Sequence, residues 1–397
     1  MENSLIQNPY TFKNLPKNWE VLTFVNVIDD VTGGNLKTQK SEFLEKGLIP
    51  IIDQGKDLIA GYVDNEKAIV KTKIPHIVFG DHTRNLKYID FPFAMGADGT
   101  KVLKVKSNIE AIEKYIYYFF QTLNIPETGY NRHFKYLKEC LIPIPSLQTQ
   151  QKIAAILDKA DELRQYNKQL IEKYDALTQS LFLEMFGDPV RNEKGWETKT
   201  IEDITKKEKG SIKRGPFGGA LKKEIFVKKG YLVYEQFHAL NNDFSMARYF
   251  INEDKFNELR GFEVKPGDII ISCSGVYLGK LAIVPKDAKK GIINQALLKV
   301  TLDEKLMRND FFIFHFTHKN FRERYFDANR GAGIPNFPPM SDFKKFPFIS
   351  PSIEIQNQFA ERVQLIENQK LQAQEALSKS EALFQGLLQQ AFKGELN

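Results

Sequence analysis

From Leu147 to Phe186 the chain has no glycine or proline, and apolar or tolerated residues fall at Ile153, Ile156, Ala160, Leu163, Asn167, Leu170, Tyr174, Leu177 and Leu181. This alternating spacing of three and four, held over four heptads, predicts a helix with a narrow seam for another helix. A second stretch, Ile353 to Phe392, carries a matching seam through Phe359, Val363, Ile366, Ala373, Leu377, Phe384 and Leu387, with one glycine, Gly386. The two are copies. Pro145-Ser146-Leu147-Gln148-Thr149-Gln150 recurs as Pro351-Ser352-Ile353-Glu354-Ile355-Gln356, and the offset of 206 holds without gaps to Phe186 and Phe392. Each helix is about 60 Å long at 1.5 Å per residue. Matched lengths and seams favour an antiparallel coiled coil over two helices buried in separate domains, with Asn167 able to fix register. Pro143 and Pro145 announce the first helix, Pro347 and Pro351 the second; Ser146 and Ser352 are candidate N-caps, and Gly187-Asp188-Pro189 closes the first.

The stretches before each helix follow a different pattern. Short apolar runs at Leu48 to Ile52, Ile77 to Gly80, Asp268 to Ile271 and Lys280 to Val284, bounded by Gly, Pro and Asp, predict strands with tight turns. Ile109 to Leu123 and Arg308 to Arg324 predict local helices. Both regions open alike, at Asn14 to Trp19 and Asn192 to Trp196, and otherwise share little. The expected fold class is α+β. Two mixed α/β domains, 1–146 and 188–350, are each followed by a long helix, 147–187 and 351–397, and the helices pair antiparallel with pseudo-two-fold symmetry.

A chain of 397 residues, 42% hydrophobic and 27% charged, fits two or three globular domains and excludes a disordered chain or a small disulfide scaffold. No run approaches the roughly 18 apolar residues of a spanning helix. Met1 to Tyr10 has no signal-peptide pattern, and there are only two cysteines, Cys140 and Cys273, so a reducing cytoplasm is expected. The net charge of +6 is unevenly spread: the two helices carry −3 and the remainder +9. Thr205 to Lys229 alone carries +7 and contains Gly210, Gly215, Gly218 and Gly219. Glycine lets backbone N–H groups approach phosphates that lysine and arginine neutralise, although any single lysine cluster can equally be a solvated surface.

Three polar turns of the first region, Gly80-Asp81-His82-Thr83-Arg84, Gly96-Ala97-Asp98-Gly99-Thr100-Lys101 and Asn131-Arg132-His133-Phe134-Lys135, hold residue types that read base edges. The candidate DNA contacts are Asp81, His82, Thr83, Arg84, Asp98, Thr100, Lys101, Arg132, His133 and Lys135 in the first region. In the second they are Lys213, Arg214, Phe217, Lys222, Lys223, Tyr277, Asn294, Gln295 and Arg330. A turn network satisfied within the protein is the rival account of Asp81, His82 and Asp98. Catalytic signatures do not survive inspection. Gly275 to Lys280 is one residue short of a phosphate loop and is followed by Leu281; Phe337 interrupts the methyltransferase-like Asn336-Phe337-Pro338-Pro339. Acidic pairs such as Asp254 with Glu263-Val264-Lys265 are chance matches, and the histidines and cysteines offer no zinc spacing. Binding without catalysis, cofactor or metal is expected.

On these residues the chain resembles the specificity (S) subunits of type I restriction-modification systems. The resemblance spans nearly the full length and is most specific at Pro143 to Gln151, Ser350 to Gln358, Leu181 to Asp188 and Gly215-Pro216-Phe217-Gly218-Gly219. The turns at 80–84, 96–101 and 130–134 resemble one recurring type of target-recognition domain. The resemblance implies two such domains reading an asymmetric bipartite site in double-stranded DNA. Helix length then acts as the ruler between half-sites. It also implies that the helices dock two methyltransferase (M) subunits, with restriction (R) subunits joining the complex. Helix pairing and docking would rest on Ile153, Ile156, Leu163, Asn167, Leu170, Leu177, Leu181, Phe359, Val363, Ile366, Leu377, Phe384 and Leu387. The family's Glu-Gln pair at the helix start is here Thr149-Gln150 and Ile355-Gln356. A subunit of a related type IIB or IIG-like system, a nuclease fused into one chain and a coiled-coil adaptor without DNA affinity are the alternatives.

Overall fold

The computed structural model describes residues 15–127, 129, 131–217, 219–326 and 337–396. They belong to two compact units, residues 1–169 with 373–397, and residues 170–372. Each unit therefore takes one globular region and one half of each long helix.

In the first unit Glu20–Thr23 pairs antiparallel with Leu141–Ile144, the strand that leads into the long helix. An antiparallel sheet follows in the order Ile28–Asp30, Thr100–Val105, His76–Gly80, Leu86–Ile89. A mixed sheet has the order Lys37–Thr38, Ala94–Gly96, Ile49–Ile52, Gly61–Val63, with its two central strands parallel. The short apolar runs form these strands because their side chains disappear into the interior; Ile51, Ile52, Ile77, Phe79 and Leu103 are all fully buried. Helix Glu113–Gln121 packs Tyr115 and Phe119 on Phe392, and Tyr118 on Phe384, so the last turns of the chain complete this core.

The second unit repeats the plan. Thr198–Thr200 pairs with Pro347–Ile349, and an antiparallel sheet runs Ile212–Arg214, Leu297–Val300, Ile269–Ser272, Leu281–Ile283. Its mixed sheet runs Phe250–Ile251, Tyr231–Tyr234, Gly291–Ile293, Glu263–Val264, again with a parallel central pair. One edge differs. Lys37–Thr38 pairs parallel with its neighbour, whereas Glu263–Val264 comes from a later segment and pairs antiparallel. Phe182, Phe186, Phe311 and Phe359 form the aromatic centre that ties the helices to this unit.

The long helices span Leu147–Phe186 and Ile353–Lys393 and pair antiparallel. In the first unit the Arg164 guanidinium lies 4.3 Å over the Phe384 ring, and buried Asn167 donates from Nδ2 to buried Ser380 Oγ at 3.3 Å. In the second, Lys370 pairs with Asp175 and buried Thr178 donates to the Tyr174 carbonyl. The seam differs from the expected row. Leu163 and Leu177 are 46% and 49% exposed, and the paired row of the first helix runs through Ile153, Leu157, Ala160, Arg164, Asn167, Tyr174 and Thr178. The heptad holds two neighbouring rows here, and beyond Ala160 the inner one takes residues with an aliphatic stem or a local partner, Arg164, Asn167 and Thr178, while Leu163 and Leu177 face out. Ser146 caps the first helix through the Thr149 N–H, and Gly187, at φ +76, ends it.

One residue type closes each unit in the same way. Gln150 is fully buried; its Nε2 donates to the carbonyls of Glu110 and Pro145, both at 2.9 Å, and its Oε1 accepts the Ile112 N–H at 3.0 Å. Gln356, also fully buried, donates to Leu306 (3.0 Å) and Pro351 (2.9 Å) and accepts from Arg308 N–H (2.9 Å). Ile112 and Arg308 are the N-cap residues of helices Glu113–Gln121 and Asn309–Thr317. The amide thus satisfies orphan groups at a helix start that lacks a side-chain cap.

Two buried histidines set an acid limit on the fold. Burial, then the charge of His318, pushes His315 down to about 3; burial, then Lys104, pushes His76 down to about 4. The unfolded chain binds these protons near pH 6.5 while the folded chain does not, so stability rises with pH in that window. The contribution is whole above pH ~6.5 and is lost as pH falls toward 4 and then 3, by up to about 1.4 kcal/mol per pH unit for each histidine. Denaturant titrations at several pH values should show the decline, and His315→Phe should make it shallower. An equally steep decline in that variant would contradict the assignment.

Candidate nucleic-acid interface

In the first unit the three nominated turns meet at the ends of the parallel strands. Asp81, 5% exposed, is the junction: its N–H donates to Gly99 O (2.6 Å), its carbonyl accepts from His133 N–H (2.7 Å), and its carboxylate accepts from Phe134 N–H (2.8 Å). Asp81, Thr100 and His133 are buried, which fits a role in holding the turns. Arg84, at φ +63, pairs with Glu127 and donates to Ile125 O. Thr83 gives its hydroxyl proton to Gln54 O, and His82 Nδ1 lies 3.3 Å from Asn131 O. The cations lie around this knot: Lys101 and Lys138 reach over the Phe134 ring at 5.0 and 5.4 Å, and Lys135 over Tyr136 at 4.8 Å. Arg132 and Asp98 are exposed on the same turns.

The second unit builds the same backbone knot from other residues. Cys273 takes the place of Asp81: its N–H donates to Ala296 O (2.8 Å), and its carbonyl accepts from Phe337 N–H (3.4 Å). Asn336-Phe337-Pro338, which resembled part of a catalytic motif, therefore has Phe337 where the first unit has His133; Asn336 itself lies outside the described residues, as does Arg330. Asn294 and Gln295 sit in the turn facing this knot, and Gly215 lies so close to Asn294 that an added Cβ would be 1.8 Å from its carbonyl oxygen. That approach brings in Arg214, whose guanidinium stands 4.9 Å from the centre of the 61% exposed Phe217 ring. Tyr277, 55% exposed, follows the turn at Gly275.

The basic run around residue 205–229 does not stay together. Lys213 points to Phe262, and Lys222 and Lys223 lie on a separate surface turn. Lys206 and Lys209 line a cavity of about 400 Å³ with Arg260, Lys265 and Lys299, interleaved with Glu208, Glu263, Asp268 and Glu304. Local carboxylates compensate much of that charge.

Sequence reading missed the residues at the ends of the central strands. Asp53-Gln54 follows Ile49–Ile52, and Glu235-Gln236 follows Tyr231–Tyr234. Asp53 accepts the Gly55 N–H and meets the buried Lys87 ammonium, whose pKa burial lowers against the pull of Asp53. Glu235 keeps a shielded Oε2 with no hydrogen-bond partner among the described residues. The signal was an acid-glutamine pair after an apolar run, but at an offset of 182 it falls outside the 206-residue repeat. Among the described residues there is no group of His, Cys, Asp or Glu arranged for a metal, and no helix is long and apolar enough to cross a membrane.

The chain matches the family described as Type I restriction modification DNA specificity domain over residues 16–173 and 193–379. It is 27% identical over 289 residues to the type I restriction enzyme MjaIX specificity subunit of Methanocaldococcus jannaschii, a match covering 65% of this chain and 64% of that one. It is 29% identical over 141 residues to the EcoR124I/EcoR124II specificity subunit of Escherichia coli, covering 34% and 33%. The matches thus span under two thirds of either relative's length. Among solved structures, a type I restriction-modification S subunit from M. genitalium aligns over 95% of this chain and 98% of its own, with TM-score 0.51 at 18% identity. A chain from a structure on assembly and conformational transition of the type I R-M system aligns over 98% and 100%, with TM-score 0.56 at 14% identity. Both likenesses are of fold.

Proposed function

Because the chain belongs to the family of type I restriction-modification DNA specificity domains, we propose that it is the non-catalytic specificity subunit of such a system, reading an asymmetric bipartite site in double-stranded DNA. One globular region reads each half-site, and the paired helices dock methyltransferase and restriction subunits. The observation that carries this reading is the backbone knot built twice with different side chains: Asp81, Gly99 and His133 in one unit, Cys273, Ala296 and Phe337 in the other. Equal frames with unequal surfaces suit two different half-sites, where a symmetric reader would suit a palindrome. Cations beside the first knot suit phosphate, and its exposed polar turns suit base edges. Protein partners have apolar positions to cover, Leu163 and Leu383 in the first unit and Leu177, Leu365 and Leu371 in the second, all about half exposed or more.

The test uses the chain assembled with its methyltransferase subunits. Affinity for duplex DNA should fall steeply with salt, because binding releases condensed counterions. Arg132→Ala should change the sequence tolerated in one half of the methylated site. Salt-independent binding, or equal loss in both halves, would count against the proposal.

A further inference from the structure

We propose that Gln54 and Gln236 are equivalent positioning residues, each aiming the base-reading turns of its own unit; the assignment rests on the DNA-reading function proposed above. Both stand two residues beyond one of the two parallel inner strands of the mixed sheet, and both reach to the end of an inner strand of the antiparallel sheet or the turn after it. Gln54 Oε1 accepts the His82 N–H at 3.2 Å, and the main-chain carbonyl of Gln54 takes the Thr83 hydroxyl (2.5 Å) and the Asn85 amide (2.9 Å). Gln236 Nε2 donates to Ser272 Oγ at 2.6 Å and to Ser274 O at 2.7 Å.

Two glycines make room for Gln54. A Cβ on Gly99, which has φ +74, would stand 2.6 Å from Gln54 Oε1 and 2.7 Å from His82 Cδ2. One on Gly80 would stand 2.2 Å from Thr83 Oγ1 and 3.0 Å from Gln54 Cβ. The glutamine is thus wedged between the turns 80–84 and 96–100, and its position fixes how far apart they lie. Gln236 holds the single segment 272–274, and with the opposite polarity. Gln54 holds its turn through a side-chain acceptor, Gln236 through a side-chain donor. A residue that merely stabilised the fold would be indifferent to which base the turns meet; one that aims them changes the sequence preference of its own half-site.

That polarity makes the experiment specific. Complexes with the methyltransferase subunits would carry Gln54→Ala, Gln54→Glu, Gln236→Ala or Gln236→Glu, and methylation would be mapped over a library of single-base variants of the site. Gln54→Ala should raise methylation of singly mismatched sites at least tenfold relative to the intact site in one half only, and Gln236→Ala in the other half only. Gln54→Glu retains an acceptor and should keep the original preference, whereas Gln236→Glu sets a carboxylate against the Ser274 carbonyl and should lose it. If an alanine variant does not assemble, Gln54→Met or Gln236→Met, which keep length without the side-chain hydrogen bonds, replace it. Relaxed preference with the predicted Glu asymmetry supports the assignment. Variants that methylate with unchanged preference in both halves overturn it while leaving the bipartite reading intact. An unmodified complex that methylates no bipartite site overturns the functional reading itself.

Discussion

Replacing Gln150 with alanine should lower the stability of the first unit by about 3 to 5 kcal/mol, and Gln356→Ala should do the same to the second. Each side chain is fully buried and makes three hydrogen bonds to backbone groups. Truncation leaves one N–H and two carbonyls without partners, at roughly 1 to 3 kcal/mol apiece, offset in part by any water that enters the space. Glutamate should recover only part of the loss, because it can accept from Ile112 or Arg308 but cannot donate to either carbonyl. Denaturant titration measures the loss, and hydrogen exchange at the Ile112 and Arg308 amides localises it. A loss below about 1 kcal/mol would mean that the amide is incidental to the closure.

Gly215→Ala should cost the second unit more than about 3 kcal/mol and abolish reading of the half-site assigned to it. The added carbon would lie 1.8 Å from Asn294 O and 2.4 Å from Asn294 C, distances that only backbone movement can relieve. Movement is restrained on both sides: Gly215 N–H donates to Leu297 O at 2.8 Å and Asn294 N–H to Tyr234 O at 3.0 Å. Gly386→Ala is the matched control. It lies within the second long helix with nothing within 4 Å of its missing Cβ, so alanine there should stabilise by about 0.5 to 1 kcal/mol. Similar small effects at the two positions, read by thermal melting, would refute the close-approach account.

The long helices were the most legible elements, because an unbroken heptad run and a gapless copy leave few alternatives. Their inner row was less so: Leu163 and Leu177 looked like seam residues, yet Arg164 and Asn167 meet the partner helix and Thr178 is buried, while those leucines face outward. Hydrophobicity alone cannot tell a seam from an adjacent apolar row. Strands at Ile49–Ile52 and Ile269–Ser272 were visible as short apolar runs, but the repeated order of both sheets was not, since pairing depends on long-range register. At the site, the turns were found by their composition. Asp81 was named with them, both as a base contact and as part of a turn network satisfied within the protein, and its burial favours the second account; Gln54 was missed because it has no distinctive neighbour in sequence.

The division of the chain into 1–169 with 373–397, against 170–372, also sets an order of completion during synthesis. The second unit is one contiguous stretch and has all its residues once position 372 has emerged from the ribosome. The first begins earlier yet lacks Phe384, Leu388 and Phe392, which fill its core beside Tyr115 and Phe119, until the second unit has been made. At roughly 5 to 20 residues per second, about 200 intervening residues mean a wait of roughly 10 to 40 s. The region made first is therefore the one that closes last, and its aromatic face is the last part of the fold to be covered.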